Sequence, residues 1–114
     1  MSDKKMFAAM ASSFRGIGLA VVTVTGETGK SYFVDRSEPK VLAGHINKYY
    51  IPKRINKERG TSDVRLFDSS PEAAAYLVAH ADKRIKRLRE QIHEIESDVG
   101  PLRKLLRRAK ADSV

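Results

Sequence analysis

The sequence predicts an α+β fold: a small three-stranded antiparallel sheet with covering helices, and a long C-terminal heptad-patterned helix broken near Gly100-Pro101. Three observations lead there. Two runs rich in Val, Thr and aromatic residues flank Gly26-Glu27-Thr28-Gly29, which is the pattern of a β-hairpin. Residues 63–68 alternate, with Val64 and Leu66 on one side and Arg65 and Phe67 on the other, so they read as a third strand pairing with the hairpin. From Ala74 to Ala109, apolar residues recur at alternating steps of four and three: Ala74, Val78, Ala81, Ile85, Leu88, Ile92, Ile95, Val99, Leu102, Leu106 and Ala109. That is a heptad seam, the mark of a helix that packs along one stripe.

The elements follow in chain order. Residues 2–15 place Met6, Phe7, Met10, Ala11 and Phe14 at helical spacing, with Ser2 or Asp3 as cap and Gly16 or Gly18 as stop. Residues 17–25 form the first strand and residues 30–35 the second. Ser37-Glu38-Pro39 has the form of a helix start, and Val41, Leu42, His45, Ile46 and Tyr49 then share a face up to Pro52. Residues 53–62 are polar and make a loop. Ser70-Pro71-Glu72 repeats the helix start, and the long helix runs to about Asp98. Gly100-Pro101 should end it, because proline removes a backbone donor and clashes with the preceding turn. Leu102 to Lys110 is then a separate short final helix or a sharply kinked extension. Residues 1–70 are expected to form the small α+β domain and residues 71–114 a helical tail continuous with it.

Composition bounds the chemistry. A chain of 114 residues is the size of one domain. With no cysteine there is no disulfide framework and no thiolate metal site, which suits a reducing compartment. No apolar run approaches the roughly 20 residues that cross a bilayer. Met6 to Ala11 is too short for a secretory core. The expectation is a cytoplasmic protein without membrane contact. Its 22 Lys and Arg against 14 Asp and Glu give +8, a balance that favours an acidic partner.

No motif marks a reaction. Gly29-Lys30-Ser31 matches the end of a phosphate-binding loop, but Val24 stands where its first glycine belongs, and a strand follows rather than a helix. His45, His80 and His93 lie too far apart in sequence for a two-ligand helix face, and His45 is expected on an apolar helix face as a core or boundary residue. Asp35 and Asp68 each fall at a strand end, where carboxylates commonly cap turns. The chain reads as non-enzymatic, with no cofactor and no metal.

The basic segments carry the functional signal. Residues 36–59 hold seven positive and two negative residues, a local charge of +5. Within them two tyrosines interleave with cations. Aromatic rings stack on unpaired bases while Lys and Arg meet phosphates, so Lys48, Tyr49, Tyr50, Lys53, Arg54, Lys57 and Arg59 are the candidate nucleic-acid contacts. A second cluster, Lys83, Arg84 and Arg87, flanks the seam residues Ile85, Leu88, Ile92 and Ile95, and this set is the candidate surface for a protein partner or for self-association. Paired in parallel, the seam sets Arg84 against Arg89 of its copy, which is repulsive, and Asp98 against Arg103, which is attractive; paired antiparallel about Ile92 and Ile95, it sets Arg89 against Glu96 and Asp82 against Arg103, both attractive. The function expected is that of a basic accessory protein binding nucleic acid or a nucleic-acid-processing complex. The alternative is a protein-directed inhibitor or adaptor of the mobile-element type, docking through its C-terminal helix.

Overall fold

The computed structural model describes residues 3–112, which fall into two compact units dividing between Ala81 and Asp82. The first unit is built on five strands: β1 (Lys4–Ser12), β2 (Gly16–Glu27), β3 (Ser31–Gly44), β4 (Arg54–Asn56) and β5 (Val64–Phe67). All pairings are antiparallel, in the order β4-β3-β2-β1-β5. The edge strands β4 and β5 come together, so the sheet is a nearly closed barrel. It is not the three-stranded sheet that the sequence suggests. A helix, α1 (Ser70–Asp112), begins in this unit and continues into the second.

The largest correction concerns the N-terminus. Residues 4–12 form a strand, not a helix; the proposed cap Ser2 lies outside the described residues. Strand β1 is central, paired to β2 on one side and β5 on the other. Met6, Ala8 and Met10 point into the barrel core, with Val22, Val24, Val34, Ile46, Ile51, Ile55, Val64 and Leu66. Ala9 and Ala11 meet Leu19, Ala73 and Leu77 on the other face, with Phe7 packed beside them. A strand buried on both faces has no polar alternation, so its apolar run also satisfies a helical spacing. Phe14, counted in that helix face, sits at the β1–β2 turn and is 98% exposed.

The second correction is the helix expected over residues 37–51. Strand β3 runs on to Gly44, and only Lys48–Tyr50 makes a short 3-10 turn. Opposite β2, the register passes from Thr23↔Asp35 to Val21↔Lys40, so residues 36–39 bulge out against a single residue of the partner strand. Proline is tolerated there because a bulge needs no ladder donor from it. Ser37 is not a helix cap: its amide and hydroxyl both donate to Asp35 Oδ1, at 3.0 and 2.7 Å, within the bulge. His45 is exposed just past the strand, not on an apolar helix face. Strand β5 pairs with β1 rather than with the hairpin.

Near its start, α1 buries Ala73 and Leu77 against Ala9, Ala11 and Leu19, with Tyr76 packing on Phe67 at a centroid distance of 5.2 Å. The buried positions are offset from the heptad row, since Ala74 and Val78 are exposed. The helix is also unbroken: Pro101 lies inside it, and residues 102–112 continue the same element. One backbone bond is lost at proline, but Leu102 to Ala111 is nearly all Leu, Arg, Lys and Ala, strong helix formers that sustain the turns beyond it. In the second unit Ile85, Leu88, Ile92, Ile95, Leu102, Leu105 and Leu106 are 45–61% exposed.

Candidate nucleic-acid interface

The bulge of β3 and the segment after it build one groove. Asn47 starts the 3-10 turn: its side chain accepts from the Tyr49 amide at 2.9 Å and its carbonyl from the Tyr50 amide at 3.1 Å. The turn throws Tyr49 outward, 76% exposed, with Lys48 Nζ 5.3 Å from the ring centroid. Tyr50 turns the other way, half-buried against the core, with the Arg15 guanidinium 4.6 Å from its ring centroid. Arg36 reaches across and donates to the carbonyl of the buried Ile51 at 3.0 Å, and the Val34 amide donates to the Lys53 carbonyl at 2.8 Å. These bonds fix the segment against β3. The result is a shallow groove of about 400 Å³ lined by Val34, Asp35, Arg36, Ser37, Lys48, Tyr49 and Lys53.

Three cations and one carboxylate face this groove. Asp35 stays ionised in neutral solution: the Ser37 hydroxyl and then its amide hold the carboxyl below its ordinary value. The groove therefore keeps a net positive charge of two beside an exposed aromatic ring. Phosphate would meet Lys48, Lys53 and Arg36, and an unpaired base would stack on Tyr49.

The other candidate residues divide. Arg54 lies on β4 with its guanidinium 5.7 Å from the centroid of Phe33, itself 37% exposed. Lys57 is engaged, pairing with Glu27 at 2.5 Å and lying 4.9 Å from the Tyr32 ring centroid. It holds Glu27 below the ordinary carboxylate value, first through the hydrogen bond and then through its charge. Arg59 shares a second, smaller recess of about 270 Å³ with Gly29, Lys30, Asn56, Lys57 and Glu58. There the Asn56 side chain accepts from the Glu58 and Arg59 amides, both at 2.9 Å. Six of the seven residues thus fall into one aromatic-bearing groove (Lys48, Tyr49 and Lys53), one stacked arginine (Arg54) and one partly neutralised recess (Lys57 and Arg59), while Tyr50 packs against the core.

Arg36, Lys30 and Phe33 belong to these surfaces but were not among the seven. Arg36 was legible only as part of the basic run. Phe33 meets Arg54 through the β3–β4 pairing, and Lys30 meets Lys57 through the bond from the Lys57 amide to its carbonyl; the sequence holds no local signal for either.

The carboxylates singled out in the sequence have separate partners: Asp35 in its bulge, and Asp68 with Lys4 at 3.2 Å. No group of three or more His, Asp or Glu residues placed to hold a metal ion occurs among the described residues. None of the described helices is long and apolar enough to cross a membrane. On the second unit, Lys83 and Arg87 are exposed, Arg84 is half-buried, and Ile85, Leu88, Ile92 and Ile95 form an open stripe. Comparison with protein-family profiles, curated proteins and solved structures finds no match to the chain.

Proposed function

We propose that this is a non-enzymatic basic accessory protein that binds nucleic acid, alone or within a nucleic-acid-processing complex, through the groove between the β3 bulge and the 3-10 turn. The observation that carries the reading is the groove itself: Arg36, Lys48 and Lys53 converge beside a tyrosine that is 76% exposed. Arg36 is anchored to a backbone carbonyl and Tyr49 is set by the Asn47 turn, so both are held in place before any ligand arrives. The absence of cysteine suits the reducing cytoplasm, where we place the protein.

The test is fluorescence anisotropy with labelled single-stranded and duplex oligonucleotides across a salt series. About three phosphates neutralised would give a log–log salt slope of roughly −2 to −3. Substituting Lys48 and Lys53 with alanine together should weaken binding to every sequence and reduce that slope by about 2. Neutralising Lys83, Arg84 and Arg87 together should do less, because Glu90 and Glu94 follow the cluster within two turns of Arg87. If the wild-type protein binds no oligonucleotide in low salt, this reading fails.

A second reading has its own observation. The stripe from Ile85 to Leu106 leaves large apolar side chains half-exposed, as a protein-directed inhibitor or adaptor docking through its helix would. Absence of oligonucleotide binding by the wild-type chain in low salt would favour it, whereas loss of binding in the helix variant but not in the groove variant would move the nucleic-acid contact to the helix.

A further inference from the structure

We propose that the second unit pairs with a second copy of itself as an antiparallel two-helix coil in one register, with Ile92 of each copy opposite Ile95 of the other. The proposal is independent of the nucleic-acid reading. Three features carry it.

The first is continuity. A helix ending at Gly100 could fold its last turns back and cover its own seam, but α1 runs through Pro101 to Asp112. Counting heptads with Ile85, Ile92 and Val99 at position a, Gly100 and Pro101 fall at b and c, away from the a and d stripe. Proline removes the bond to the carbonyl of Ser97, at f, so the disturbed backbone also lies outside the seam. The stripe stays straight enough in pattern to accept a partner along its length.

The second is area. In this register Ile85 meets Leu102, Leu88 meets Val99 and Ile92 meets Ile95, each layer occurring twice by symmetry. The Ile and Leu residues of these layers are 45–61% exposed in the single chain. Ten such side chains, with tens of Å² open on each, and the two partly buried Val99 side chains amount to on the order of 1,000 Å², where specific interfaces begin.

The third is charge, which selects the partner and its register. In an antiparallel coil the e positions of the two helices flank the seam together. Here they are Asp82, Arg89, Glu96 and Arg103. The proposed register opposes Arg89 with Glu96 and Asp82 with Arg103, each twice. The g positions contribute Gln91 with Asp98 and Arg84 with Leu105, without like-charge contact. A slip of one heptad in one direction opposes Arg89 with Arg89 and Asp82 with Glu96. A slip in the other opposes Glu96 with Glu96, Arg89 with Arg103 and Asp98 with Asp98, against the attractive pairs Asp82 with Lys110 and Arg84 with Asp112. Parallel pairing opposes Arg84 with Arg89, offset by Asp98 with Arg103, and so has no net attraction. Residues 82–112 carry ten cations and six anions, but the excess lies mainly at b, c and f, facing solvent.

Sedimentation equilibrium of the full chain, with circular dichroism to confirm the helix, tests the proposal. A dimer is expected. Arg89→Glu should raise its dissociation constant about tenfold, because two attractive pairs become repulsive, and adding Glu96→Arg should restore it. The chain has no cysteine, so Arg89→Cys with Glu96→Cys should give a covalent dimer on oxidation, and neither alone should. A monomer at every concentration overturns the proposal. So does a dimer that Arg89→Glu tightens, which is the parallel signature, or a double-cysteine chain that does not cross-link.

Discussion

At the scale of single residues, the barrel is least forgiving where β2 and β3 cross at their far ends. Gly44 has φ +69°, and a Cβ there would lie 2.0 Å from the Ile17 carbonyl oxygen. Gly44→Ala should therefore destabilise the first unit by about 2–4 kcal/mol, seen as a lowered urea midpoint with unchanged slope. Two neighbouring apolar residues should differ sharply. Met10 is fully buried, so Met10→Ala should cost about 2–5 kcal/mol. Phe14 is 98% exposed, and Phe14→Ala should stay within about 0.5 kcal/mol. The exposed ion pairs shape the pH response. Glu27 and Asp35 titrate below their ordinary values of 4.5 and 3.8 in the folded chain. Their contribution is present above those values and lost as pH falls through the lowered ones. Lys4 runs the other way: the hydrogen bond to Asp68, then its charge, raises it, so its contribution holds below 10.5 and is lost in stronger base. Thermal melts across pH should show a shallower acid limb in Glu27→Gln, and high salt should narrow the difference.

At the scale of elements, the readings that depend on local chemistry and those that depend on neighbours separate. The hairpin turn is written in Gly26 to Gly29, and the structure places Thr28 to Lys30 between β2 and β3. The start of α1 is written in Ser70-Pro71-Glu72, although the side chain that accepts from the Glu72 amide, at 3.4 Å, is that of Ser69 rather than Ser70. Strand β1 was illegible because both of its faces are buried, which erases the polar alternation that distinguishes a strand. Ser37-Glu38-Pro39 misled because a capping serine and a first-turn proline also suit a bulge. At the end of the bulge, Pro39 and the following Lys40 sit where β4 does not cover β3, and both discourage a further strand from pairing there. Proline 101 offers the element-scale test. Pro101→Ala restores one backbone bond, so amide exchange over residues 98–105 should slow by one to two orders of magnitude, while barrel amides keep their rates.

At the scale of the whole chain, the two buried clusters both lie within residues 6–77. A chain ending at Ala81 should therefore fold with the barrel's cooperative melt retained. If the groove carries nucleic-acid binding, that chain should bind oligonucleotide within about threefold of the full protein, as read by anisotropy, since Arg36, Lys48, Tyr49 and Lys53 all remain. Loss of binding in a truncated chain that still folds would transfer the activity to the helix.

The sequence by itself determined the charge balance, the hairpin turn, the strand at residues 64–67 and the long amphipathic helix, because each rests on residues adjacent in the chain. It also named Lys48, Tyr49 and Lys53, since they fall within one basic, aromatic run. Only the tertiary structure decided that five strands close into a barrel, because a strand wrapped on both faces takes its conformation from its neighbours rather than from its own pattern. It alone joined Arg36 to Lys48 and Lys53, turned Tyr50 inward, and tied Lys57 to Glu27 thirty residues away. Such groupings depend on strand register, and register is set by which faces the whole sheet can bury.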